Sequence, residues 1–168
     1  MDDLEKAFCR LREERFVPAS IEFRVIVEGR GRTLIPMIRD ELYRIGREAL
    51  MNAFQHSGAA SVELELSYAP REMRLLVRDN GCGIDAEVLR SGREGHWGLV
   101  GMRERAERIG GRLKVWSRAA AGTEVELTVP GHIAFPRPHS SKAQSWLSRW
   151  RRGKSPVEAS ASSSEQDQ

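Results

Sequence analysis

Glu41-Leu42-Tyr43-Arg44-Ile45-Gly46-Arg47-Glu48-Ala49-Leu50-Met51-Asn52-Ala53 is the stretch on which the reading of this chain turns. Leu42, Ile45, Ala49 and Ala53 recur along one helical face. The pattern predicts a long helix over residues 36–56, begun near Pro36 and stopped at Ser57-Gly58. Glu48 and Asn52 lie four residues apart, so both side chains leave the same face. A carboxylate beside a neutral amide oxygen suits a Mg²⁺ ion that keeps several waters and shares substrate phosphates. Taken alone, the same pair also suits a solvated polar face.

Outward from this helix the periodicity alternates between helix and strand. Leu4, Phe8 and Leu11 have helical spacing within residues 1–15. Ile21, Phe23, Val25 and Val27 then alternate with charged residues, as in a half-buried strand. After the long helix, Val62, Leu64, Leu66 and Tyr68 repeat every two residues, and a turn at Pro70 leads into Met73–Val77, which predicts a hairpin. A helix is expected over residues 99–109, followed by a last hairpin around Ala121-Gly122. The order α-β-α-β-β-loop-α-β-β predicts an α/β (α+β) two-layer sandwich with helices on one face of a mixed sheet.

Composition bounds the organisation. The 168 residues are 40% hydrophobic and 30% charged, enough for one core and too few residues for a large multidomain enzyme. Residues 131–168 hold 6 of the 27 Lys/Arg and 3 of the 24 Asp/Glu, which leaves residues 1–130 with 21 of each. That neutral body argues against a nucleic-acid-binding surface. Nine serines and three prolines in 131–168 predict a disordered tail, in which Trp146–Arg152 reads as a solvated basic stretch. Domain boundaries are therefore expected at 1–20 for a helical linker, 21–130 for the folded body and 131–168 for the tail. Cys9 and Cys82 form no metal-binding spacing, and no apolar run approaches a membrane span. A reduced, cytoplasmic setting is expected.

Three further segments carry chemistry. Asp79-Asn80-Gly81-Cys82-Gly83 follows a strand directly. An acid there can accept a hydrogen bond from an exocyclic amine, while glycines let backbone approach a flat base; the same residues also suit a tight Asx turn. Gly98-Leu99-Val100-Gly101 opens a helix, where free N–H groups favour phosphate. Gly122-Thr123 precedes the last strand.

In this order and spacing, the segments resemble the Bergerat-fold, or GHKL, ATPase superfamily. Glu41–Ala53 looks like the N box of sensor histidine kinases. Gly98-Leu99-Val100-Gly101-Met102-Arg103-Glu104-Arg105-Ala106 looks like the second glycine box of the nitrate-sensor and lipid-desaturase-regulator type. The resemblance implies an ATP-binding catalytic domain of a two-component sensor histidine kinase. Within it, Asn52 would ligate Mg²⁺ bridging the ATP phosphates, and Glu48 would organise the metal or activate the attacking group. His56 would reach the phosphates. Asp79 would accept from the adenine amine, with Gly81 and Gly83 shaping the base pocket and Thr123 placing a hydroxyl near Asp79. Gly98, Leu99 and Gly101 would meet the phosphates, and residues 84–97 would form a mobile lid over ATP. Two positions depart from the family's habit: Gln55 stands where Lys or Arg is common, and His96 replaces a first glycine.

None of His56, His96, His132 and His139 lies in a His-Asp motif on an amphipathic helix. The resemblance therefore implies a phosphoacceptor histidine on a dimerisation segment outside this chain, a response regulator as the next partner, and a membrane only through an absent sensor half. The alternatives in the same fold are a stand-alone Ser/Thr kinase like the anti-sigma-factor kinases and a non-catalytic nucleotide-binding module.

Overall fold

The computed structural model describes residues 3–13, 17–84 and 97–136. In chain order these form α1 (Asp3–Glu13), β1 (Glu22–Gly29), α2 (Pro36–His56), β2 (Ser61–Tyr68), β3 (Glu72–Asp79), α3 (Trp97–Arg108), β4 (Arg112–Ser117), β5 (Thr123–Pro130) and a short α4 (Gly131–Ala134). The lid expected at 84–97 falls mainly on residues outside those described, as does the tail from residue 137, with its Trp146–Arg152 stretch.

One mixed sheet runs in the order β1-β2-β3-β5-β4. Only β1 and β2 are parallel, joined by the long crossover that contains α2; the other pairs are antiparallel. The period-two residues set the register. Val62, Leu64, Leu66 and Tyr68 face the same way as their partners Asp79, Val77, Leu75 and Met73. These side chains, with Val125, Leu127 and Val129 of β5, are buried beneath the helices. The opposite face carries alternating charge. There Arg74 pairs with Glu65 and approaches Glu126 and Glu28, while Arg78 reaches Glu124 at 2.7 Å. Such an ion-paired face can meet water, which is why the helices are needed on one side only.

Pro36 starts α2 at a position whose N–H would have no helical partner. Its buried stripe comprises Ile38, Leu42, Ile45, Ala49, Leu50 and Ala53. At its end the Ser57 hydroxyl bonds back to the Ala53 carbonyl, and Gly58 turns the chain at φ +60°. The helix therefore lies flat on the sheet while leaving Glu48 and Asn52 on its less buried flank.

Two boundaries differ from the sequence expectation. The segment over 1–20 is not only a linker: Leu4, Phe8 and Leu11 of α1 are fully buried, and the Phe8 ring packs tilted against Tyr43 with centroids 5.3 Å apart. Gly46 makes this possible, since a Cβ there would stand 2.6 Å from Phe8 Cζ. Nor does the folded body stop at residue 130. α4 follows at once, Ala134 and Phe135 are buried, and the Ile35 N–H donates to the Ala134 carbonyl at 2.9 Å. Arg32 lies 3.8 Å above the Phe135 ring. Two apolar residues with no periodicity around them thus belong to the core, and the expected tail begins too early.

Candidate functional site

The site lies where α2, the end of β3, the start of β5 and the start of α3 converge. Asp79 ends β3 and is 8% exposed. Its Oδ1 accepts the Gly81 N–H at 2.8 Å. Burial pushes its carboxyl above the ordinary carboxylate range, while backbone N–H groups of Gly81 and Thr123 pull it part of the way back. A buried acid with two amide donors is held in place with lone pairs still available to a ligand.

The turn after β3 is stitched to the turn after α2. Asn80 Oδ1 accepts from the Ala60 and Ser61 N–H groups at 3.0 and 2.9 Å, and the Cys82 N–H donates to the Ser57 carbonyl at 2.8 Å. Glycines are required along this seam. A Cβ at Gly81 would collide with the Ser57 carbonyl, and one at Gly83 with the Arg118 carbonyl. Gly122, at φ +83°, lies against the Asp79 carbonyl, with which a Cβ would also collide. Gly122→Ala is therefore expected to destabilise the fold by about 1–3 kcal/mol through strain and displacement of β3. Thermal unfolding of the variant checks this, and an unchanged midpoint would mean that the two turns do not pack as described.

Between these turns and α2 opens a cavity of about 640 Å³. Its walls include Glu48, Asn52, His56, Asp79, Gly83, Gly98, Leu99 and Thr123, which are eight of the ten residues singled out from the sequence. The other two do not line it. Gly81 instead holds Asp79 through its N–H. Gly101 sits one turn into α3, with open space where a side chain would project. Sequence reasoning missed the apolar wall of Ala53, Val77 and Val125, whose side chains give a flat ring something to lie against. It also missed Ser117, whose place beside Thr123 depends on pairing with the strand that begins six residues later and not on any local pattern. Gln55 lines the cavity too, so the position lacking a basic residue faces the site.

At the other end of the cavity, Gly98 opens onto the Glu48/Asn52 pair. A Cβ at Gly98 would stand 2.5 Å from Glu48 Oε1 and 3.5 Å from Asn52 Nδ2. The carboxylate, the amide and the N-terminal turn of α3 thus converge on one small volume. Among the described residues, no group of three or more His, Cys, Asp or Glu could hold a metal ion unaided. Two oxygen-bearing side chains fit a Mg²⁺ that draws its remaining ligands from phosphates and water.

Comparison with known proteins bears on this arrangement. Residues 37–133 match the family of histidine kinase-, DNA gyrase B- and HSP90-like ATPases. The nitrate/nitrite sensor protein NarX of Escherichia coli K12 is 40% identical over 87 residues, which is 52% of this chain and 14% of that protein. The sensor histidine kinase LiaS of Bacillus subtilis is 40% identical over 93 residues, 55% of this chain and 25% of that protein. The chain thus spans a quarter or less of the length of these two relatives. In fold it resembles the histidine kinase domain of a blue-light activated kinase from Erythrobacter litoralis, with a TM-score of 0.58 and 23% identity over 76% of this chain and 58% of that one. Among the described residues no helix is long and apolar enough to cross a membrane.

Proposed function

Since the chain belongs to the histidine kinase-, DNA gyrase B- and HSP90-like ATPase family, we propose that its cavity takes up ATP together with Mg²⁺ and presents the γ-phosphoryl group to a histidine on a separate dimerisation segment. The observation that carries this reading is the polarity of this cavity. One end has a buried acid beside an apolar wall, and the other has Glu48, Asn52 and Gly98 at the start of a helix.

In this reading Asp79 accepts a hydrogen bond from the adenine amine, while Val77, Val125 and Ala53 cover the ring. Thr123 contributes a hydroxyl beside Asp79, and Gly83 lets the backbone come close. Asn52 offers its amide oxygen to Mg²⁺, with Glu48 next to it to orient the metal's water or the attacking imidazole. His56, at the end of the same helix, faces the phosphates. Gly98 and Leu99 bring the first N–H groups of α3 towards them, where the helix dipole favours negative charge. Bound Mg²⁺ supplies neutralisation of the phosphate oxygens. The protein's own share is positioning, which is most of what phosphoryl transfer asks of an enzyme. The phosphohistidine would then serve a response regulator.

Incubation of the chain with γ-labelled ATP, Mg²⁺ and a separately produced histidine-bearing dimerisation segment tests the proposal. Acid-labile phosphate on the segment is expected. Acid-stable phosphoserine on a partner would instead favour the Ser/Thr kinase alternative. ATP binding with no transfer to any segment would reduce the domain to a nucleotide-binding module.

A further inference from the structure

Ser117, the last residue of β4, lies outside the cavity wall but directly behind it. The strand registers place Asp79, Thr123 and Ser117 in one row across β3, β5 and β4. Three hydrogen bonds converge on the Ser117 hydroxyl. The Ile84 N–H donates to it at 2.7 Å, it donates to the Gly122 carbonyl at 3.0 Å, and it shares a bond of 2.9 Å with the Thr123 hydroxyl.

A serine hydroxyl has one proton and two acceptor lone pairs. The Ile84 amide can only donate, so it occupies one lone pair. The Gly122 carbonyl can only accept, so it takes the proton. For all three bonds to exist together, Thr123 must donate its own proton to the second lone pair. Its hydroxyl then offers only lone pairs to the cavity, next to an Asp79 carboxylate that also only accepts.

We propose that Ser117 is a positioning residue for base selectivity: by holding the Thr123 proton it keeps the Asp79–Thr123 rim acceptor-only, matched to a base carrying an exocyclic amine and mismatched to one carrying a carbonyl there. The inference rests on the nucleotide reading of the cavity given above. Without Ser117 the Thr123 proton is free to turn inwards and donate to a carbonyl. The variant should therefore discriminate less between the two kinds of base. Losing the Ile84 anchor as well should loosen the site equally for both.

ATP and ITP differ at this position, amine against carbonyl, so their affinities form the test. Ser117→Ala is expected to lower the ATP:ITP affinity ratio by about three- to tenfold, the worth of one neutral hydrogen bond. Ser117→Thr, which keeps the hydroxyl, should restore the ratio. Thr123→Val should lower the ratio similarly, and adding Ser117→Ala to it should change the ratio no further. An equal loss for both nucleotides with the ratio unchanged would make Ser117 merely structural and overturn the proposal, as would additive effects in the double variant. Should Ser117→Ala fail to fold, Ser117→Thr and Thr123→Val still decide the matter: a wild-type ratio in Thr123→Val overturns it. A wild-type protein that binds neither nucleotide would instead refute the nucleotide reading itself.

Discussion

Asp79→Ala should weaken ATP binding by roughly ten- to a hundredfold, because a charge-assisted hydrogen bond to the base is worth ~1.5–3 kcal/mol and, among the described residues, no other acid lines the base end of the cavity. Titration with a fluorescent ATP analogue measures it, and wild-type affinity would remove Asp79 from the base contact. The same residue should cost the empty protein stability. Burial holds its folded carboxyl above the unfolded value of 3.8, so the folded state binds more protons between those two values. Stability contributed by the protonated form is present at low pH and lost as pH rises through the folded value. Asp79→Asn should thus melt at or above the wild-type temperature without nucleotide while still binding ATP poorly. In the wild type, ATP affinity should decline as the pH falls towards the raised carboxyl value, since a protonated acid accepts less well. A carboxylate retained at a cost to folding is what a ligand site predicts.

Asn52→Ala is the second large effect. Phosphoryl transfer to a supplied histidine segment should fall about a hundredfold or more, the scale seen when one positioned electrostatic group is removed from a reacting centre. The melting curve should stay close to wild type. Asn52 lines the cavity and is not part of the buried stripe of α2, so its truncation leaves no core void. Transfer at the wild-type rate with an unchanged fold would dissociate Asn52 from the chemistry. A collapse of the fold would instead mean that it is a core residue.

How much of this was legible beforehand depends on how far each signal reaches along the chain. α2 was readable because its apolar residues repeat at helical spacing, and Glu48 and Asn52 came with it, since a four-residue offset on a helix fixes their common side. The hairpins were readable from strict alternation, and Asp79 from its place between a strand and a pair of glycines. The sequence makes Gly81 a shaper of the base pocket and Gly101 a phosphate contact, yet neither lines the cavity, and glycine in such a motif has two meanings. The residue can let a ligand approach or let another part of the chain approach, and only the Ser57 carbonyl beside Gly81 separates these. Ser117 was invisible, since a serine ending a strand has no local mark. Its place behind Thr123 arises from strand pairing and from an amide at Ile84, far away in sequence. The burial of Phe135 was lost for a similar reason: a lone aromatic after Pro130 joins the core only because α4 folds back onto the start of α2.

In the proposed complex one cavity receives ATP, with its base at Asp79 and its phosphates at the α2–α3 junction. Backbone amide NMR spectra recorded while a non-hydrolysable ATP analogue and Mg²⁺ are titrated in test it most directly. The largest shifts are expected at Asn52 to Ser57, Asp79 to Gly83, Gly98 to Gly101 and Thr123, with little change across the ion-paired outer face at Arg74, Lys114 and Glu126. Shifts concentrated on that outer face, or none at saturating nucleotide, would contradict it.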